Sequence, residues 1–457
     1  MKEKQLFDAI TNVPDELVEE AREITLKPIA KPWKKWTALA ACAVLVFAFV
    51  FTLPHGSGGP GGELLSVGFP KAYPYNDWDA KQAVMKNNPV EDTFLKAVNR
   101  FSYETGSKLL SSSSGNSNYS PLSLYYALAI TASGARGETA DEMLSLLNMP
   151  DQAALSVQCG NLYRQLYTDN EIGKLKIANS VWMNQSVTWK QDFIKNAAEN
   201  FYASSFSMDF SDPKTAQSMA KWVTDHTNGT LKPQFEVSKD QILSILNTVY
   251  FYDEWTNKFD SAQTAQSTFY LANGASINTD FMNKTDGSGS FYKGEGFTRS
   301  SLPLKNAGQM VFILPDKGIS PRELLSTPEK MQSAFEGGED QNGEVVWKMP
   351  KFDFGAKIEP IDALKALGIH SAFEQSADFS GITDQTAFIS NVRQETHIAV
   401  DEDGVEASAF TEIAMTGSAM MPKDKAEMVL DRPFLYGITA PDGTLLFVGV
   451  CENPTAK

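Results

Sequence analysis

An α+β fold with large, partly antiparallel sheets is the architecture this sequence predicts. Three observations carry that expectation. Leu122–Ala132 is apolar on nearly every face, so it forms a helix buried at the centre of a domain. Runs of strand character recur at Leu175–Met183, Ile242–Tyr252, Met310–Leu314, Val345–Phe354 and Leu445–Val450, interleaved with helical stretches. They follow neither a strict strand–helix alternation nor an internal repeat, and that mix argues for α+β.

The 457 residues exceed the usual size of one domain, so a large domain with an appendage, or two domains, is expected. Apolar residues make up 42%, enough for a substantial core. A net charge of −16 excludes a nucleic-acid partner, because neutralising phosphates takes clustered Lys and Arg. Cys42, Cys159 and Cys451 lie far apart and match no disulfide framework or metal-ligand spacing.

Four regions follow in order. Residues 1–36 form a leader in which Asp15–Glu20 belongs to one short amphipathic helix; it resembles leaders of membrane-anchored proteins from Gram-positive bacteria. Thr37–Leu53 carries no charge and spans roughly 25 Å as a helix, near the short end of a membrane span. Trp33 and Trp36 occupy interfacial positions, and Lys31, Lys34 and Lys35 keep that flank cytoplasmic. No small-x-small cleavage site follows Leu53, and in the lipoprotein-like Leu39–Cys42 box the apolar run mostly follows the cysteine. Residues 37–53 therefore read as an uncleaved signal anchor. The chain is then a single-pass protein of the cell membrane with its C-terminal part outside, secreted only if the anchor is cut. Residues 54–89, opening with Pro54–Gly62, read as a flexible Gly/Pro-rich linker. The large domain runs from 90 to 457: a helix over 90–112, then Ser120 as cap and Pro121 at the first position of the buried helix.

Catalytic equipment is missing. His55 lies in the linker, while His226, His370 and His397 stand alone without metal spacing. No G-x-S-x-G elbow, phosphate-cradling loop or His-Glu-x-x-His occurs. No catalytic residue, cofactor or metal site is expected, which favours a binding or inhibitory protein over an enzyme.

The informative stretch is Asp401–Ser418. Counting from Gly404, one parity holds Val405, Ala407, Ala409, Thr411, Ile413 and Met415; the other holds Glu406, Ser408, Phe410, Glu412 and Ala414. The first set is small near the glycine and suits burial, whereas the second carries both charges. Period two means a strand with one buried face. The following residues, Gly417–Lys425, read as an exposed loop. The bland reading is an edge strand running into a surface loop; the sharper one is a loop that becomes a strand only after it is cut.

At this point residues 90–457 resemble the serpins. The resemblance rests on Asn116-x-x-x-Ser120-Pro121-x-Ser123, Gly134–Thr139 with Met143, and Leu246–Trp255 with Phe259. Pro350-Lys-Phe, Leu367-Gly-Ile, Ala377–Gly381 and Asp431–Phe434 follow in order, then Leu446–Gly449 and Asn453-Pro. It implies a serpin fold of three β-sheets and eight or nine helices with an exposed reactive-centre loop. It also implies a monomeric suicide-substrate inhibitor: a serine protease attacks the loop, forms an acyl-enzyme, and is trapped as a covalent complex when the cut loop inserts into the central sheet.

Residue by residue, the resemblance implies a hinge of Glu402, Gly404, Val405, Glu406, Ala407, Ser408, Ala409 and Thr411. A polar cluster beneath the sheet (the shutter) falls on Asn116, Ser120 and Ser123, with Gln394 where the family has histidine. Lys351 and Glu402 match a charged pair at the top of the sheet (the breach), beside Trp255. Phe410 departs from the family's small residues. Family spacing puts the reactive bond at Ser418–Ala419. Because Gly404 to Phe434 spans about four residues more than in common relatives, Met420 or Met421 is the alternative. These residue types suit elastase-like or subtilisin-like proteases, not trypsin-like ones. The competing readings are a non-inhibitory serpin-like surface binding protein and a cryptic surface hydrolase.

Overall fold

The computed structural model describes residues 62–306, 308–405 and 424–456. The leader, the expected anchor at 37–53 and residues 54–61 lie outside this range, as do Glu406 to Lys423. Among the described residues no helix is long and apolar enough to cross a membrane.

The central sheet runs in the order β1 (Gly62–Leu65), β5 (Ala203–Met208), β4 (Lys174–Asn184), β6 (Leu243–Glu254), β14 (Gly404–Val405), β13 (Gln394–Val400), β12 (Phe352–Ile358), with β3 (Thr168–Asp169) beside β4. Only β4 and β5 pair in parallel; β4 and β6 are matched antiparallel from Lys174–Tyr252 to Met183–Leu243. A second network runs β15 (Lys425–Val429), β11 (Gln341–Pro350), β8 (Ser276–Gly294), β9 (Phe297–Pro303), β10 (Gln309–Pro315), β16 (Phe434–Thr439), β17 (Leu445–Cys451), β2 (Ser117–Tyr119), with β7 (Ala265–Tyr270) on β8. The sequence resemblance implies three sheets. The second and third are joined here because β8, 19 residues long, pairs with β7, β11 and β9 in succession.

Nine α-helices are present among the described residues: α1 (Trp78–Asn87), α2 (Asp92–Ser111), α3 (Pro121–Ser133), α4 (Gly137–Leu147), α5 (Gln152–Leu166), α6 (Gln191–Phe201), α7 (Pro213–His226), α8 (Pro328–Glu336) and α9 (Ile361–Ala366). The sequence places the buried helix correctly: in α3 the Ser120 side chain accepts from the Ser123 N–H, and Leu122, Leu124, Tyr125, Leu128 and Ile130 are buried. Every residue of β17 is buried, as expected of a strand covered on both faces. Cys159 and Cys451 are free, buried thiols, and burial pushes both well above the ordinary range.

Two expectations change. Val345–Phe354 reads as one strand, yet it breaks at Lys351 and serves two sheets, β11 in one and β12 in the other. Residues 62–89 read as part of a flexible linker, but they are docked on the domain. β1 pairs antiparallel with β5, and the Val67 N–H donates to Ser204 Oγ at 3.1 Å. Phe69 stacks on Tyr167 with centroids 5.4 Å apart, and the Lys176 ammonium lies 5.6 Å from its ring centre. Composition marks Gly and Pro as loop-forming, but it does not see a single aromatic side chain finding a pocket.

Candidate functional site

In the central sheet β6 and β13 flank β14, whose residues Gly404 and Val405 are the last described before Glu406. Gly404 pairs with Glu254, Val405 with Asp253, and Val405 on its other side with Val400. Among the described residues the pairing stops there, and the two strands run on as the walls of a gap.

The upper end of this gap is tightly held. Asp401 Oδ1 accepts the N–H groups of Asp403 and Gly404 at 3.0 and 3.3 Å, forming a turn that aims the chain into the sheet. Trp255, fully buried, donates its indole N–H to the Asp401 carbonyl at 2.9 Å and its backbone N–H to Asp403 O at 3.0 Å. Lys351 Nζ lies 2.6 Å from Glu402 Oε2, while the Thr264 hydroxyl donates to Oε1 at 2.8 Å. Burial pushes the Glu402 carboxyl up, but the Lys351 ammonium and Thr264 hydroxyl outweigh it and hold it below the ordinary carboxylate range. Asp401 goes the other way: burial raises it, and its two backbone donors recover only part of the shift. Beside them Glu254 is buried between Lys305 at 2.9 Å and Lys258 at 3.2 Å, and Lys258 also reaches Asp403 at 3.1 Å. At Gly404 a Cβ would collide with the Asp253 carbonyl and lie 2.8 Å from Glu254 Cα, so this position accepts only glycine.

The middle of the gap is bound by neutral groups. Gln394 grips the cap of α3 twice: the Ser120 N–H donates to its Oε1, and its Nε2 donates to Ser120 O, both at 2.9 Å. Ser120 Oγ donates to Leu446 O at 2.8 Å. The Ser123 hydroxyl donates to Asn247 Oδ1 in β6. Asn247 Nδ2 donates to Asn179 Oδ1 in β4, and Asn179 Nδ2 to Phe201 O, each at 2.6 Å. A hydrogen-bonded chain thus runs from α3 across two strands.

Asn116 is not in this cluster. Its Oδ1 accepts the N–H groups of Glu452 and Asn453 at 2.8 and 2.9 Å, and its Nδ2 donates to Asn453 O at 2.6 Å. The three residues of β2 separate it from Ser120, a reach of roughly 10 Å that no Asn side chain spans. Sequence reasoning missed Asn247. Its signal is a lone carboxamide among the β-branched and apolar residues of the strand-forming run Leu246-Asn-Thr-Val249.

Below Val405 two open cavities lie along the gap. One of about 40 Å³ is walled by Thr248 and Val249 of β6 and Thr396 and Ile398 of β13. The other, about 380 Å³, lies between Leu124 and Leu128 of α3, Ile245 of β6, and Met219 and Val223 of α7. The hinge residues Glu406, Ala407, Ser408, Ala409 and Thr411, and the bond candidates Ser418, Ala419, Met420 and Met421, lie outside the described residues.

A family model described as serpin (serine protease inhibitor) matches residues 96–454. The chain belongs to the serpin family. Serpin-Z1A of Triticum aestivum is 30% identical over 367 residues, covering 75% of this chain and 91% of that protein. Among solved structures, the thermophilic serpin Tengpin in its native state superposes with a TM-score of 0.73 at 26% identity, covering 86% of this chain and 100% of that one. Serpin48 of the insect Tenebrio molitor gives 0.71 at 27%, covering 79% and 98%. Within the serpin fold, the charged clasp, the neutral cluster and the cavities all line one gap, between β6 and β13 of the central sheet.

Proposed function

We propose that this serpin is a suicide-substrate inhibitor of elastase-like or subtilisin-like serine proteases. The loop beyond Val405 is cleaved, holds the protease as an acyl-enzyme and inserts between β6 and β13. The observation that carries this reading is that β14 enters the sheet between β6 and β13, which among the described residues do not pair with each other below it.

Continuing the register of β14 gives the loop a specific fit. Gly404 opposite Glu254 and Val405 opposite Asp253 extend to Ala407 opposite Phe251, Ala409 opposite Val249, Thr411 opposite Asn247 and Ile413 opposite Ile245. On the β13 side Val405 opposite Val400 extends to Ala407 opposite Ile398, Ala409 opposite Thr396 and Thr411 opposite Gln394. The small parity therefore meets the core-facing side chains. Thr411 brings its hydroxyl to the two carboxamides of the neutral cluster. Phe410 falls opposite Thr248, on the face covered by α7, where Trp182, Phe210 and Trp222 already cluster.

The reading includes the cell surface as the place of action: a bacterial-type leader, an anchor at 37–53 and the serpin domain outside. The uncharged run with its cationic, aromatic flank supports it. The reactive bond is Ser418–Ala419, with Met420 or Met421 as the alternative.

Incubation of the full chain with elastase-like and subtilisin-like proteases tests the function. An inhibitor yields a covalent complex that survives denaturing electrophoresis and releases a C-terminal peptide beginning at Ala419 or shortly after. A serpin-like binding protein is merely cleaved or ignored, and a hydrolase turns over ester or peptide substrates; either outcome overturns the reading.

A further inference from the structure

Six large apolar side chains are exposed among the described residues, and three of them, Leu64, Trp78 and Met85, fall within the first 24. Trp78 is 61% exposed and Met85 59%. They stand seven residues apart on α1, with Lys81 between them, so all three share one face of the helix. None of α1's side chains is buried. Three residues before Trp78, in the turn that leads into the helix, Tyr75 adds a second ring: its centroid lies 6.5 Å from that of Trp78, and the Lys81 ammonium sits 4.9 and 4.8 Å from the two ring centres.

This is an aromatic and lysine surface of the kind that suits the headgroup layer of a bilayer, where indole rings straddle polar and apolar surroundings and lysine stems lie along apolar surface with the charge in water. The local charge fits as well. Lys71, Lys81 and Lys86 balance Glu63, Asp77 and Asp79, whereas the whole chain carries −16. The position in the chain supplies the partner. Only eight residues separate Leu53, the end of the anchor, from Gly62, the start of β1. Fully extended, they reach at most about 30 Å.

We propose that the Tyr75–Trp78–Lys81–Met85 face docks into the interfacial layer of the membrane to which the chain is tethered, so that the domain is held by two points instead of one. The proposal rests on the anchor reading above. In that arrangement the helix lies in the plane of the interface, with Trp78 and Met85 among the headgroups and Lys81 at the water side.

The test uses the full chain in phosphatidylcholine–phosphatidylglycerol vesicles. On a Cys42→Ser background, Met85→Cys carries an environment-sensitive fluorophore; Cys159 and Cys451 are buried and do not compete. Docking predicts that the protein floats with the vesicles, that the emission shifts to the blue relative to detergent solution, and that lipids spin-labelled near the headgroup quench it. Adding Trp78→Ser removes most of the shift without changing flotation. Failure to float overturns the anchor and the proposal together. Flotation with unshifted, unquenched emission overturns the proposal alone. A shift that depends on protein density in the vesicle, with no quenching by lipid, assigns the face to a second copy and also overturns it.

Discussion

The two ends of the gap in the central sheet are built from different materials. The upper end is a clasp of charges and backbone donors: Glu402 on Lys351, Glu254 between Lys258 and Lys305, and the Asp401 turn under Trp255. The lower end opens into a cavity of about 380 Å³ lined by Leu124, Leu128, Ile245 and Met219 and also by Glu236, Asp240, Arg393 and Glu395. Between them a single file of neutral side chains, Ser123 to Asn247 to Asn179, crosses the strands. A clasp of this kind is directional and, in the insertion reading, fixes which residue enters first. A pocket of mixed polar and apolar lining is not directional, but its apolar side chains gain contacts when something fills it. In the insertion reading the top of the gap therefore sets the register, and the bottom adds contact energy.

The most damaging change to this arrangement is Val405→Arg. Val405 is 3% exposed between Asp253 and Val400, and a guanidinium forced into this closely packed place overfills it and must be desolvated. Protease incubated with this variant is expected to cleave it without forming complex, read as loss of the denaturant-stable band. Persistence of normal trapping would falsify insertion at this register.

Asn247→Ala breaks the middle file. It strands the Ser123 hydroxyl and the buried Asn179 Oδ1, each an orphaned group costing about 1–3 kcal/mol where fully buried. Urea unfolding should show a lower midpoint with an unchanged slope. Asn116→Ala should leave the gap untouched and loosen only the chain end at Glu452 and Asn453. If the two variants behave alike in loop insertion, the separation drawn between them is wrong.

Glu402→Gln is milder. Lys351 is 38% exposed, so solvent screens the pair and its loss costs about 1 kcal/mol or less at neutral pH. The pH dependence is more telling than the size. The folded-state pKa of Glu402 is held below its ordinary 4.5, so its contribution is present above that value and lost as pH falls through the folded pKa. The variant should flatten the acid limb of a thermal-stability profile. Asp401→Asn has the smallest effect and the opposite sign. Its carboxyl is raised, so the ionised form present at neutral pH weakens the fold, and stability is gained as pH falls through the folded pKa. Asn keeps the acceptor for the Asp403 and Gly404 N–H groups without the charge, so a small rise in melting temperature at pH 7 is expected, vanishing in acid.

Legibility from sequence followed the range of the signal. Ser120 and Pro121 announce the start of α3 because capping is local, and the alternation after Gly404 is visible because strands repeat every two residues. Gln394 and Lys351 were placed by resemblance, and their partners Ser120 and Glu402 stand 274 and 51 residues away. Asn247, Lys258 and Lys305 were not placed at all. Each is unremarkable among its sequence neighbours and acquires its role only when β6 is laid beside α3 or when the Lys305 loop folds back over Glu254. Residues 62–89 failed for the converse reason: their composition is that of a linker, and what overrides it is Phe69 meeting Tyr167 and Val67 meeting Ser204.

The bare Cα of Gly404 has one more consequence. Since no other residue type fits against the Asp253 carbonyl, the strand has a fixed zero, as a ruler has, and a slip by one residue would put a Cβ where none can go. In the insertion reading, every residue between that zero and the cut bond then carries the attached protease about 3.3 Å further along the sheet. On that ruler, a cut after Met420 or Met421 instead of Ser418 would move the captured enzyme two or three residues further, about 7–10 Å.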